Sequence, residues 1–147
     1  MQVAKVKKLK ENAVMPTMGS AEAAGFDLHA CLESENVTIK AGETVLVGTG
    51  LSIAVPKETF GAIFARSGLA SKKGLAPANK VGVCDSDYRG EYMVALHNHS
   101  SKDAVIENGE RIAQLVVLPY VPCLLQEVDE LDDTERGEGG FGSTGSK

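Results

Sequence analysis

The sequence predicts an all-β sandwich or barrel. Three observations carry that expectation. Apolar residues alternate with polar ones in short segments, Gly, Pro and Asn turns separate those segments at spacings of about ten residues, and no segment sustains a helical period. Residues 3–9 open with β-compatible Val3, Val6 and Leu9. Residues 26–32 follow a glycine and put Phe26, Leu28, Ala30 and Leu32 at period two. Val37-Thr38-Ile39 leads into the turn Lys40-Ala41-Gly42-Glu43, and a β-branched run from 44 to 55 ends at Pro56, which has no N–H for a ladder. Further strands are expected at 60–65, 81–83, 91–98, 105–106 and 111–118, with a last one at 122–128. A single helical turn fits near 67–72. From about Leu131 the composition shifts to glycine and polar residues, so the chain divides into a β domain, 1–130, and a flexible glycine-rich C-terminal tail, 131–147.

At 147 residues there is enough chain for one core, burying roughly 70% of the unfolded surface. Aromatic residues are 5% and Trp is absent, so that core must be built from Val, Ile, Leu and Ala. A formal net charge of −5 argues against a surface that coats nucleic acid, which needs clustered cations to displace counterions. It does not exclude a free nucleotide, which a few local cations and backbone N–H groups can hold. Cys31, Cys84 and Cys123 are odd in number and widely spaced, which fits reduced thiols better than a disulfide framework. No apolar run approaches the ~20 residues of a membrane span, so a cytoplasmic protein with no membrane partner is expected.

Several constellations could carry chemistry. The tail reads by composition as a loose end, yet Arg136 offers a planar phosphate fork, and Phe141 is an aromatic ring of no use to a linker. Gly142, Ser143 and Thr144 add unhindered N–H groups and hydroxyls, the parts of an anion nest without the Lys of a Walker loop. Ala65-Arg66-Ser67-Gly68-Leu69-Ala70 is either a turn with a solvated arginine or a phosphate grip in which Gly68 permits close backbone approach. The segment 79–91 reads as a hairpin. Its Asp85-Ser86-Asp87 is either plain turn chemistry or the seat of a general base beside a small pocket. Gln114 alternates with apolar neighbours and is either a satisfied core amide or an inward-facing site residue. His97 and His99 share a strand face but have no further ligand at zinc spacing.

In this order and spacing the segments resemble the five motifs of the homotrimeric dUTPase family. Ala24-Gly25-Phe26-Asp27-Leu28-His29-Ala30 is similar to the first and Ala65-Arg66-Ser67-Gly68-Leu69-Ala70 to the second. Gly82-Val83-Cys84-Asp85-Ser86-Asp87-Tyr88-Arg89-Gly90 is similar to the third and Gly109-Glu110-Arg111-Ile112-Ala113-Gln114-Leu115 to the fourth. Residues 136–145 match the fifth without a gap. The resemblance covers essentially the whole chain.

It implies a jelly-roll-like distorted β-barrel that assembles as a homotrimer with shared sites, hydrolysing dUTP to dUMP and pyrophosphate with Mg²⁺. Asp85 would hold the sugar 3′-hydroxyl and activate the attacking water, with Gln114 supporting the phosphate. Tyr88 would lie under the deoxyribose and exclude a 2′-hydroxyl. Backbone of Asn79, Gly82 and Val83 would read uracil, and Arg66, Ser67 and Gly68 would hold phosphates. Asp27 would act on the magnesium indirectly, through its water. Arg136, Phe141, Gly142, Ser143 and Thr144 would come from a neighbouring subunit.

Two positions depart from the family pattern. Ala65 replaces a frequent Pro, and Cys84 replaces a branched aliphatic residue, so a buried, inert thiol is expected beside Asp85. A dCTP deaminase is the rival enzyme, but it should be longer and carry a Glu–Arg pair in its base pocket. A nucleotide-binding regulator without catalysis is the other alternative.

Overall fold

The computed structural model describes residues 2–141. The strands are β1 (Lys5–Lys8), β2 (Thr17–Met18), β3 (Phe26–His29), β4 (Asn36–Ile39), β5 (Thr44–Gly48), β6 (Leu51–Ala54) and β7 (Thr59–Phe64). Helix α1 (Ser67–Lys73) follows, then β8 (Leu75–Pro77), β9 (Gly82–Cys84), β10 (Met93–Asn98), β11 (Ala104–Glu107) and β12 (Arg111–Pro119). The strand-dominated expectation is borne out. The main sheet runs β2-β3-β12-β7-β9, a second runs β5-β10-β8, and β1-β6 and β4-β11 form two-stranded ribbons. Every pairing among the described residues is antiparallel, so the molecule is a jelly-roll-like set of ribbons around one core and not a continuously hydrogen-bonded ring.

Alternation puts one side chain in two inward. β10 shows it cleanly, with Val94, Leu96 and Asn98 buried between more exposed neighbours. Leu28, Ile39, Leu51, Leu75, Ile106 and Ile112 are wholly buried in the shared core, each worth about 1.5–3 kcal/mol of burial. The core is aliphatic with one aromatic exception, Tyr92, which is 0% exposed. Asn98 is the buried polar linchpin. Its amide donates to Ile39 O and Lys102 O, both at 2.8 Å, while its Oδ1 accepts from the Ser100 backbone and hydroxyl.

Three expectations are corrected. The run 44–55 breaks into β5 and β6 because Gly50 turns at φ +67, where a β-carbon would meet Ala13 Cβ and Cys31 Sγ at 2.8 Å. This corner lets the chain leave β10 and pair with β1. The segment 79–91 is an arch and not a hairpin: β9 pairs with β7, whereas β10 pairs with β5 and β8. Residues 122–128 form no strand. Tyr120 N–H still donates to Glu58 O, but beyond it Leu124 and Leu125 stand 98% and 99% exposed with no neighbouring ladder to satisfy their backbone.

Helix α1 replaces the single expected turn. It ends at Gly74, whose left-handed backbone (φ 66) returns its N–H to Ala70 O, with Lys72 and Lys73 at the negative end of the dipole. No helix among the described residues is long and apolar enough to cross a membrane.

Candidate active site

The central strands of the main sheet build the first hollow. Register aligns Asp27 of β3 with Gln114 of β12, and Gln114 in turn with Phe64 of β7, so the chain beyond β7 delivers Arg66 beside Asp27. Arg66 Nε donates to Asp27 Oδ1 at 2.7 Å, and Arg111 Nη1 donates to Asp27 Oδ2 at 3.2 Å. One carboxylate thus bridges two guanidiniums, offsets their mutual repulsion and fixes their direction. Gln114 Nε2 donates to Ala65 O at 2.9 Å, tying β12 to the arginine loop. Gly25 leaves room for this amide, since a β-carbon there would lie 2.9 Å from Gln114 Oε1.

Asp27, Arg66, Ser67, Gly68, Arg111 and Gln114 therefore line one hollow of about 220 Å³, and Arg66, Gly68, Lys72, Lys73 and Arg111 line a second cationic hollow beside it. The Lys73 ammonium is already paired, with Glu110 Oε1 of the same lining at 2.6 Å and with Val105 O at 2.7 Å. His29, on the same strand as Asp27, is held below its usual pKa by burial, with Asp27 opposing and Arg111 and Arg66 reinforcing the shift.

The arch between β9 and β10 builds the other hollow, of about 330 Å³, lined by Val83, Cys84, Asp85, Tyr88, Glu91 and Tyr92, with Leu46 and Met93 at its edge. Asp85 follows β9 directly. Its carbonyl accepts Tyr88 N–H at 3.1 Å, which makes the turn, and its carboxylate joins no salt bridge among the described residues. Tyr88 folds back so that its hydroxyl donates to Glu91 O at 3.1 Å, passing over Gly90, which has no side chain to obstruct it. Arg89 Nη1 donates to Ser86 O and Tyr88 O, Ser52 Oγ donates to Arg89 O, and Glu91 Oε1 accepts Gly50 N–H at 2.7 Å. These bonds stiffen an arch that carries an unpaired carboxylate and an exposed aromatic ring.

On the approach to β9, Asn79 O accepts Val81 N–H at 2.7 Å, Lys80 turns at φ 67, and Gly82 packs against Ile63. Val83 points outward, 64% exposed. Cys84 is half-buried and not fully buried as expected, and burial pushes its thiol pKa up.

The two hollows share no lining residue, so Asp85 and Tyr88 do not meet Arg66, Ser67, Gly68 and Gln114 within one chain. Arg136 closes a local loop, donating from Nε to Gly139 O at 2.8 Å, and Phe141 stands fully exposed with φ 50. Gly142, Ser143 and Thr144 lie outside the described residues. His97 and His99 stack edge to face with centroids 4.4 Å apart, and no group of three or more His, Cys, Asp or Glu gathers among the described residues.

Sequence reasoning left out Arg111 as a site residue. Strict alternation puts residues three apart on opposite faces. A register shift between Arg111 and Ala113 brings Arg111 and Gln114 to the same hollow instead. Glu91 and Tyr92 were also passed over, because their roles come from packing under the arch and not from their residue types.

Fold and site together define an antiparallel β-protein with surface hollows of opposite chemistry, an adjoining pair rich in cations and another presenting a free carboxylate beside an aromatic ring. Residues 11–145 match the dUTPase family profile. The chain is 51% identical over 141 residues to the deoxyuridine 5′-triphosphate nucleotidohydrolase of Nautilia profundicola, covering 96% of this chain and 97% of that one. It is 53% identical over 133 residues to the Candida albicans enzyme of the same name, covering 89% and 80%. Among solved structures, the Staphylococcus bacteriophage 80alpha dUTPase with dUPNHPP superposes with a TM-score of 0.88 at 29% identity over 99% of both chains. The chain belongs to the dUTPase family.

Proposed function

We propose that this chain hydrolyses dUTP to dUMP and pyrophosphate. That reaction limits uracil incorporation into DNA and supplies dUMP for dTMP synthesis. The observation that carries the reading is the unpaired Asp85 carboxylate at the end of β9, in a hollow shared with Tyr88. A carboxylate ionised at neutral pH can take a proton from water, and an aromatic ring beside it can lie against a sugar. Asp85 holds the 3′-hydroxyl and activates the water that attacks the α-phosphorus. Tyr88 packs beneath the deoxyribose and leaves no room for a 2′-hydroxyl. Backbone of Asn79, Gly82 and Val83 reads the uracil edge, where a wrong donor pattern would leave buried groups unpaired. Arg66, Ser67 and Gly68 hold the phosphates, Arg111 extends that positive field, and Gln114 supports the phosphate and water.

The separation of the two hollows supports a site assembled between subunits. Within a homotrimer, the Asp85 arch of one copy faces the Arg66 hollow of another. Arg136, Phe141, Gly142, Ser143 and Thr144 arrive from a neighbouring copy, with Phe141 stacking on the base. Both Asp27 oxygens already accept from guanidiniums, and the described residues gather no metal cage. Mg²⁺ therefore fits as part of the substrate, carried on the triphosphate, with Asp27 reaching it only through the ion's water. Incubation with dUTP, dCTP or UTP plus Mg²⁺ tests the reading: pyrophosphate should appear from dUTP alone. Ammonia from dCTP, or tight dUTP binding without turnover, would overturn it.

A further inference from the structure

We propose that Tyr92 is a positioning residue for this site, bracing the 82–91 arch from the core so that Cys84 seats Asp85 and the Tyr92 ring backs Tyr88. The inference rests on the roles given above to Asp85 and Tyr88.

Tyr92 is wholly buried at the β10 foot of the arch, and its backbone is clamped. Its N–H donates to Leu51 O at 2.8 Å, and its carbonyl accepts from Thr49 N–H at 3.2 Å and Thr49 Oγ1 at 2.7 Å. From that fixed base the side chain reaches across to the other foot. There Gly61 of β7 pairs with Cys84 of β9, and a β-carbon at Gly61 would meet Tyr92 Oη at 3.0 Å. The missing side chain is what admits the phenol beneath β9. The hydroxyl lies beside the Cys84 thiol but completes no hydrogen bond among the described atoms, and burial keeps it protonated. The ring also pairs with that of Tyr88, with centroids 6.1 Å apart and planes tilted by 38°.

A rigid aromatic wedge anchored in the core therefore spans both feet of the arch. It touches one residue on either side of the reactive carboxylate: Cys84 immediately before it and Tyr88 on the turn after it. β9 has only three residues and a single partner strand, so its own ladder gives Asp85 little rigidity. The wedge supplies what the ladder lacks.

Tyr92→Leu and Tyr92→Phe separate this role from general packing. Each variant is first checked by circular dichroism and thermal melting, and Tyr92→Met replaces Tyr92→Leu if the latter does not fold. With the brace gone, Tyr92→Leu should lose about tenfold in the dUTP-to-UTP ratio of kcat/KM, a ratio that a uniform loss of stability would not move. Tyr92→Phe should restore the wild-type ratio. An activity-independent arm follows alkylation of Cys84 by iodoacetamide, read peptide by peptide in the full chain, which should run several-fold faster in Tyr92→Leu. A folded Tyr92→Leu with the wild-type ratio and wild-type Cys84 labelling overturns the proposal, as does a Tyr92→Phe that loses as much as Leu. Should the unaltered chain release no pyrophosphate from dUTP, the hydrolase reading fails. The labelling arm then still decides whether Tyr92 braces Cys84.

Discussion

Asp27 and Arg66 are locked side by side, Arg66 Nε donating to Asp27 Oδ1 at 2.7 Å across 39 residues of sequence. With side-chain exposures of 13% and 25%, the pair is shielded enough for the bond to direct the guanidinium as well as attract it.

Asp27→Asn should therefore release Arg66 and Arg111 to repel each other. Expected are a rise in KM for dUTP and a stability loss of about 1–3 kcal/mol, read by steady-state pyrophosphate release and by urea denaturation. An unchanged KM would show that Arg66 finds its direction without Asp27.

Asp85→Asn keeps the size of the side chain and removes the proton acceptor. Turnover should fall by about a hundredfold or more, while dUTP binding, followed by isothermal titration, stays close to the unaltered chain. Lost binding with normal kcat at saturation would contradict the assigned role.

Gly50→Ala tests the corner between β5 and β6. A methyl group at φ +67 would meet Ala13 Cβ and Cys31 Sγ at 2.8 Å, so strain and crowding add. Denaturation should show a loss of at least about 2 kcal/mol.

His29 gives the fold a pH dependence with a defined sign. Burial holds its folded pKa below the ordinary 6.5, so the folded chain keeps it neutral where the unfolded chain already takes a proton. The stability tied to His29 is complete well above 6.5, falls as pH drops through it, and levels off beneath the folded pKa. Urea midpoints measured from pH 8 to 5 should fall less steeply on the acid side in His29→Gln.

Deleting residues 136–147 removes Arg136, whose described hydrogen bonds close only a local loop, and Phe141, which stands fully exposed. Catalysis should vanish, while melting temperature and assembly by sedimentation stay unchanged. Unfolding or dissociation would make the tail structural.

Much of this molecule was legible in its residues. Period-two alternation located β3, β10 and β12, and Gly, Pro and Asn marked most of their ends. The two-residue β2 and three-residue β8 escaped, because Pro16 and Gly19 flank the one and Gly74 and Pro77 bound the other, residues that read as turns. The apolar content of 122–128 suggested a strand, but propensity cannot supply the partner that a ladder needs. Arg111 escaped because a bulge is invisible to alternation.

By itself, the sequence determined the β class, the aliphatic core and the residue types able to grip phosphate or take a proton, since these follow from local pattern and side-chain chemistry. Tertiary structure decided which of them meet. Arg111 reaches Asp27 over 84 residues, β9 joins β7 and not its neighbour β10, and the phenol of Tyr92 slides under the arch where Gly61 leaves room. Such meetings depend on closing long loops against a common core. Their cost and reward are set by burial across the whole sheet, a quantity no local stretch of sequence contains.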